Sequence, residues 1–590
     1  MGETDLLEVG NYRISKDGTL SVVTGYEPKN GNAYIQTSII ANHAPLVKRI
    51  IRYDNGTDIT ESIEIAVRRA YKESIAHMTK DQLFAQNPNK AFDVGNIVYQ
   101  GRGYNGLYRQ FIQEQCGNLP IYTVYQHTGI RIIDGERVFL NGGNSVTKDG
   151  LTDRYKVELE NQLQNYGFIK DKPVERYSVF KTLLYKLAEK RIMYPVVAYC
   201  FMTALTSLYR EKGIEPAFVL YIIGKTGCRK TSLAKLILNF FGRFDYSTPS
   251  PAGFRDTLNS IEKKMSCADS VPLLIDDRIP TANAYLKQMI EQIEQGILRL
   301  IGDKNNRGRS NADGTLRKCY PPKSTAITTA EDAFQNVTES GIARAFSVPL
   351  KPDSINLDVL TFLQENTDSL NACMTDFIQW MLNKWDEQQE ALYPAFVKLR
   401  KAAQGVGHGR LADAVAHLTL ALSVMCDWLR SVGQMTEEEA HKVKQEGFEI
   451  FIAMATEQNK QVIEDKPTHL FLNALREMRE TGNIRFINLT GQATNNIALH
   501  TGKDDIVGYY DDEYFYLIPD TSDSAIRQFY KKQDRNFPLS PRRIRECLAD
   551  EGYLIKEGTQ FTKLKRIFGQ QKRYVWLYKK ALDNEELEVN

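Results

Sequence analysis

The chain is 590 residues long, 42% hydrophobic and 25% charged, ordinary proportions that leave room for about three to five domains, each with a core of its own. Its net charge of +2 argues against a protein that coats nucleic acid over its whole surface. No stretch comes near the ~20 unbroken apolar residues of a membrane helix, and Met1-Gly2-Glu3-Thr4-Asp5 lacks a basic, then apolar, leader pattern, so a cytoplasmic protein with no membrane partner is expected.

Over residues 1–150 two segments read as β-hairpins. Tyr12-Arg13-Ile14 and Leu20-Ser21-Val22-Val23 flank the turn Lys16-Asp17-Gly18, and Arg131-Ile132-Ile133 and Arg137-Val138-Phe139-Leu140 flank Asp134-Gly135-Glu136. The spacing from Ile63 to Met78 predicts a helix between them, making an α+β domain. It carries no paired-acid DxD signature of a primase. Residues 151–214 read as a helical linker or collar, helical by spacing from 175 to 212. The eight cysteines are scattered without CxxC pairs, which predicts reduced thiols and no structural zinc.

Residues 215–352 alternate strands and helices, the pattern of an α/β domain on a parallel sheet. The segment from Phe218 to Phe240, FVLYIIGKTGCRKTSLAKLILNF, is an apolar strand, a glycine-bearing loop and a helix headed by Lys230-Thr231-Ser232. Backbone N–H groups of Gly224, Lys225, Thr226, Gly227, Cys228 and Arg229 and the helix N-terminus can converge on nucleotide phosphates. Lys230 can reach the β/γ oxygens, and Thr231 can ligate Mg²⁺. The loop departs from G-x-x-x-x-G-K-[ST] at one place, Arg229 standing where the second glycine is usual. ATP with Mg²⁺ is the expected ligand.

Some 45 residues further on, the apolar strand Val271-Pro272-Leu273-Leu274-Ile275 ends in Asp276-Asp277, placing Asp276 for a metal shell and Asp277 beside an attacking water. The strand Ser324-Thr325-Ala326-Ile327-Thr328-Thr329, followed by Glu331, ends in hydroxyls where a γ-phosphate sensor would sit between the two motif strands; Thr328 and Thr329 are equivalent by sequence. In Ser340-Gly341-Ile342-Ala343-Arg344-Ala345-Phe346, Arg344 reads either as an arginine reaching a neighbouring subunit's nucleotide or as a surface salt-bridge residue. The insert Gly302-Asp303-Lys304-Asn305-Asn306-Arg307-Gly308-Arg309 reads either as a basic pore loop, with Lys304, Arg307 and Arg309 on nucleic-acid phosphates, or as a solvated loop.

Residues 353–465 read as successive amphipathic helices, Leu411 to Leu429 among them, forming a lid or bundle in which Arg410 is a candidate nucleotide-sensing arginine. Residues 466–580 return to mixed structure. Ser540-Pro541 starts a helix through Leu548, then Tyr553-Leu554-Ile555, a basic loop and Tyr574-Val575-Trp576-Leu577-Tyr578 follow as strand, turn and strand, a winged-helix pattern. Between Ala525 and Lys580 there are 15 Lys and Arg against 5 Asp and Glu, an excess that suits phosphate binding by Arg542, Arg543 and Arg545 on the helix and Lys563, Lys565, Arg566, Lys572 and Arg573 on the wing. Tyr574, Trp576 and Tyr578 are read as core rather than as base-stacking rings. The acidic tail, residues 581–590, is expected to fray.

The order phosphate loop, LLIDD, basic insert, ITTAED, SGIARAF, helical lid and winged helix resembles AAA+ and superfamily 3-type replicative helicases. It is most similar to the MCM-like, self-loading helicases of mobile elements such as staphylococcal cassette chromosomes. Tyr125-Gln126-His127-Thr128-Gly129-Ile130 with the Asp134-Gly135 hairpin resembles the domain that precedes the ATPase in such proteins. The likeness covers residues 120–350 well and the C-terminal region loosely. It implies a homo-hexameric ring that encircles DNA, hydrolyses ATP at subunit interfaces and moves pore loops along one strand during replication of a mobile element. Carried over by residue, Lys230 and Thr231 serve phosphate and Mg²⁺, Asp276 and Asp277 metal and water, Thr328 or Thr329 is the sensor and Arg344 acts in trans. Duplex or origin DNA would meet the winged helix, and a primase or single-strand-binding protein is a possible partner. The reading that competes with a motor is an ATP-controlled initiator that assembles on an origin without unwinding it.

Overall fold

The computed structural model describes the chain apart from residues 1–6, 30–31, 70–71, 80, 83–94, 305–318, 332–338, 465, 491–505, 534–536 and 584–590. Arg307 and Arg309 therefore lie outside the described residues.

Both predicted N-terminal hairpins are present, Tyr12–Ile14 with Leu20–Lys29 and Gly129–Ile133 with Glu136–Leu140. The helix expected over 63–78 is not. That stretch forms the strands Ile59–Arg69 and Lys72–Thr79, paired antiparallel in a five-stranded sheet with Ala44–Asp54, Ile121–Tyr125 and Lys156–Val157. Ile63, Ile65 and Val67 all pack into the N-terminal core, a period of two; the spacing Ile63, Ala66, Val67 also satisfies a helix, and the β-branched residues settle the contest by fitting a pleated surface. The α+β class rests instead on the helix Tyr104–Glu114, which buries Tyr108, Phe111 and Ile112. The start of the collar is also corrected. Residues 150–157 hold two short strands, Gly150–Thr152 and Lys156–Val157, that complete N-terminal sheets; a 3-10 turn, Asn161–Asn165, follows, and the α-helices begin at Arg176.

The central sheet is built as the alternation requires. Its strands, labelled β1 (Val219–Ile223), β2 (Ala252–Gly253), β3 (Pro272–Arg278), β4 (Thr325–Ala330) and β5 (Ala345–Pro349), are all parallel and lie in the order β2-β3-β4-β1-β5. The strand carrying Thr328 and Thr329 thus sits between the strand that feeds the phosphate loop and the strand that ends in Asp276-Asp277. Two helices frame the site: α1 (Lys230–Leu238) follows the phosphate loop and α2 (Ala284–Asp303) follows the acid strand.

One hydrophobic core runs from Ile130 through the central sheet and the collar to Ala455. Trp428 is fully buried and packs its ring within 5.6–6.2 Å of Phe377, Phe201 and Phe180, tying the bundle to the collar. Its helix, Gly409–Ser431, is long and apolar enough to cross a membrane by length and composition, yet 83% of its apolar window is buried inside the protein, as a core helix is. The C-terminal unit has a separate core: helices Pro467–Glu480, Pro519–Lys532 and Pro541–Asp550 cover one face of a six-stranded sheet. Ser540 caps the last helix, its hydroxyl accepting from the Arg543 N–H. The basic segment expected as a loop is the strand Lys563–Ile567, paired with Gln570–Tyr578. Ala581 and Leu582 are buried in this core, so the unit extends past residue 580.

Candidate nucleotide site

The carboxyl end of the central sheet gathers every motif residue that a phosphate-binding site needs. Between β1 and α1 the loop turns through Gly227 at φ 90° and Arg229 at φ 62°. Arg229 therefore occupies the left-handed conformation that a glycine adopts freely and an arginine adopts at a cost of about 1 kcal/mol. The arginine thus stands in a backbone conformation that suits the glycine usual at this place. Lys230 arches back over the loop, its Nζ donating to the Gly224 carbonyl at 2.6 Å and the Lys225 carbonyl at 3.0 Å, so its charge stands where phosphate oxygens would replace those acceptors. Cys228 is buried beneath the loop, and the Thr226 hydroxyl bonds the Glu331 carboxylate.

Across the mouth, Asp276 is the hub. Its Oδ1 accepts from the Thr231 hydroxyl at 2.9 Å and from the Thr329 hydroxyl, and its Oδ2 accepts from Ser250 at 2.9 Å. Thr329 also accepts the Asp277 N–H at 3.0 Å. Thr329 thus faces the acid pair, while Thr328, fully buried, points to the other face of the sheet as strand alternation demands. Among the described residues no group of three or more His, Cys, Asp and Glu is arranged to hold a metal. The donors present are hydroxyl and carboxylate oxygens, hard ligands that fit Mg²⁺, a cation that completes its shell with phosphate oxygens and water.

Asp277 is exposed, at φ 72° where β3 loses register with β4. Its pKa is raised by partial burial, by Asp276 and by Glu331, against the pull of Arg255 and Lys230. A carboxylate of raised basicity beside Asp276 can take a proton. Two clefts flank the hub. One of ≈ 690 Å³ runs along the Thr231, Ser232, Lys235 and Asn239 side of α1 to Thr361 and Asp368, room enough for a nucleoside. The other, ≈ 470 Å³, lies over Asp276, Asp277 and Arg255.

The remaining candidates stand elsewhere. Arg344 precedes β5, whose first residue, Ala345, lies beside Val219 at the start of β1. It is at the amino end of the sheet, roughly 15 Å of strand from the phosphate loop, so it cannot serve its own site. It is largely buried, donating to the Asp303 carboxylate at 2.7 Å and to Ser340. Arg410 donates to the same Asp303 oxygen at 3.2 Å. Burial raises the Asp303 pKa, and the two guanidiniums outweigh it and hold the carboxyl below its usual range. Gly302 is required beside them, since a Cβ there would lie 2.2 Å from the Arg344 side chain. Lys304 does not project from an exposed basic loop. It ends α2 in the left-handed region, and its ammonium, 3.5 Å from Glu215, has a pKa lowered by burial and by Arg210.

In the C-terminal unit, Arg542, Arg543 and Arg566 are exposed. Arg545 instead lies against Asp523, and Lys565 reaches Asp511 at 3.0 Å. Sequence reasoning missed Ser250, Arg255 and Asp303 as site residues. Each acts through a contact made by folding, and the polar segments Ser247-Thr248-Pro249-Ser250 and Gly302-Asp303 carry no motif that would mark them.

A phosphate loop after the first strand, an acid pair on the third and a hydroxyl-bearing strand between them define a P-loop nucleotide-binding fold. No family model and no curated protein matches the chain. Among solved structures it is similar to Cch of SCCmec type IV, an active helicase, with TM-score 0.61 and 13% identity over 97% of this chain and 98% of that one. The chain therefore shares the fold of that structure over nearly its whole length. Two further structures, a JCV helicase with a bound small molecule (TM-score 0.19, 14% identity, 40% of this chain and 73% of that one) and an apo C-terminal region of NrS-1 (0.22, 10%, 69% and 86%), align too loosely to carry an argument.

Proposed function

We propose that this chain is an ATP-dependent DNA helicase that serves the replication of a mobile genetic element, acting as a homo-hexameric ring. The observation that carries the reading is the split of the site. Lys230, Thr231, Asp276, Asp277 and Thr329 stand at one end of the sheet and Arg344 at the other, so a head-to-tail neighbour supplies what each site lacks. In this reading Lys230 and the loop N–H groups bind the β/γ-phosphates, with Gly224 to Ser232 forming the cradle. Thr231 and Asp276 hold Mg²⁺, which draws charge from the phosphoryl oxygens when bound. Asp277 orients and deprotonates the attacking water, Thr329 fixes both acids, and Arg344, released from Asp303, stabilises charge on the neighbour's γ-phosphate. The basic insert beyond Lys304, with Arg307 and Arg309, meets single-stranded DNA in the pore. The C-terminal unit acts as a winged helix on duplex or origin DNA through Arg542, Arg543 and Arg566. Its site is assigned to the cytoplasm, with a primase or single-strand-binding protein as partner.

The test is ATP-dependent strand displacement on duplexes with a 3′ or 5′ single-stranded tail, with Lys230→Ala as control. Displacement abolished by the substitution supports the motor. DNA-stimulated hydrolysis without displacement replaces it with the ATP-controlled initiator.

A further inference from the structure

The C-terminal sheet has a second face, turned away from its three helices, and that face is aromatic. Its strands here are β6 (Tyr514–Leu517), β7 (Lys563–Ile567) and β8 (Gln570–Tyr578). Alternation sends Phe515, Leu517, Val575 and Leu577 to the helices and sends Tyr514, Tyr516, Tyr574, Trp576 and Tyr578 the other way. Cross-strand pairing sets Tyr514 opposite Tyr578 and Tyr516 opposite Trp576. Part of this face is closed over: Tyr516 and Tyr574 are buried with Ile567 in a small cluster of their own. At its rim, however, Tyr514, Trp576 and Tyr578 remain only half-buried, their rings joined through Tyr514 at 5.4 Å to Trp576 and 5.5 Å to Tyr578. Trp576 and Tyr578, expected as core residues, are therefore core in part and surface in part.

The surroundings of the three rings are cationic. Lys563 Nζ lies 4.8 Å from the Trp576 centroid, Lys565 Nζ 5.3 Å from it, and Lys580 Nζ 5.5 Å from the Tyr578 centroid. The Trp576 indole N–H donates to the Lys563 carbonyl at 3.2 Å, fixing the ring plane. The turn Asp511-Asp512-Glu513 bounds the patch on one side, where Asp511 is already neutralised by Lys565.

We infer that the rim Tyr514–Trp576–Tyr578, with Lys563 and Lys580, is a stacking platform for single-stranded nucleic acid. The three partly exposed rings, inclined to Tyr514 by 52° for Trp576 and 44° for Tyr578, offer aromatic surface against which unpaired bases can pack, and the ammonium groups beside them track the phosphates. A duplex, whose bases are stacked on one another, cannot use the rings, so this surface is distinct from the one through which Arg542 and Arg543 would meet duplex DNA. The inference goes beyond the helicase reading and needs neither nucleotide nor ring closure.

The test uses the full-length chain without nucleotide, in low salt. Binding of short oligo-dT, oligo-rU and a matched duplex is followed by anisotropy and by quenching of tryptophan fluorescence. Trp428 and Trp385 are buried, which makes Trp576 the main reporter beside the half-buried Trp380. Tyr514→Leu and Tyr578→Leu keep apolar bulk and remove the π-face; each is expected to weaken single-strand binding about 10-fold with duplex binding unchanged and the thermal midpoint held. Lys580→Glu gives a second measure of the same surface and is expected to weaken single-strand binding and steepen nothing in the duplex salt dependence. Equal binding of dT and rU marks a platform blind to the sugar, and a preference names the strand. Single-strand affinity and quenching untouched in all three variants, or single-strand and duplex affinity lost together, overturns the inference. A chain that fails to displace strands yet shows the selective loss refutes the motor and keeps the platform.

Discussion

The two ends of the central sheet manage charge differently. At the carboxyl end Asp276, Asp277 and Glu331 crowd around Lys230, leaving Asp277 with a raised pKa and a site whose electrostatics are resolved only by a ligand. At the amino end each arginine already has a carboxylate: Arg344 and Arg410 share Asp303, and Arg131 and Arg210 share the fully buried Asp269. One end is built to receive charge and the other to store it. In the proposed head-to-tail ring, a chain with both ends would carry half a site twice over.

Substitutions at the two ends should therefore fail differently. The largest effect is expected for Arg344→Ala, which should cut hydrolysis by the assembled protein about 1,000-fold while nucleotide binding by the chain is retained; an unchanged turnover rate would return Arg344 to a structural role. Asp277→Asn should lower turnover about 100-fold and slightly raise the unfolding midpoint at neutral pH. The sign follows from its raised pKa: the charged form is the disfavoured one when folded, so stability is greatest below the unfolded pKa and falls as pH rises through the folded value. Asp269→Asn should leave two arginines facing a neutral group and cost about 3 kcal/mol, read by urea unfolding. Asp269 has the opposite sign. Burial raises its pKa, Arg210 and Arg131 more than offset that, and so its contribution is complete above the unfolded pKa near 4 and disappears as pH drops through the lower folded value. Smallest is Arg229→Gly, which should stabilise the unliganded chain by about 1 kcal/mol by relieving the left-handed arginine.

The carboxyl end was legible in the sequence because its chemistry is local. A phosphate loop must follow a strand and head a helix, and an acid pair must end a strand, so Lys230, Thr231, Asp276 and Asp277 announce themselves by their neighbours. The amino end was not legible, because Asp303 and Arg344 meet only after 41 residues have folded back, and nothing in Gly302-Asp303 signals the meeting. The same limit explains Thr328 against Thr329, which only the direction of a side chain separates. It also bears on the misread strands at 59–79, where one set of residues satisfies two periods and the β-branched side chains find their place against neighbouring strands.

The turn at Asp269 has a practical consequence for anyone who wishes to cut a smaller piece from this chain. Arg131 comes from the N-terminal region and Arg210 from the collar, and the Thr128 N–H and hydroxyl bind the Cys267 and Asp269 carbonyls at 2.9 and 2.7 Å. Ile130, Phe139 and Val146 belong to the same core as the phosphate-loop strand. A fragment that begins at the collar would strip one of two counter-charges from a carboxylate with no access to water and lay open part of that core. A piece that begins near Ile121 keeps both counter-charges and this core, yet it still parts the strand Ile121–Tyr125 from its sheet partner Ala44–Asp54, so that seam closes when the N-terminal sheet is kept as well.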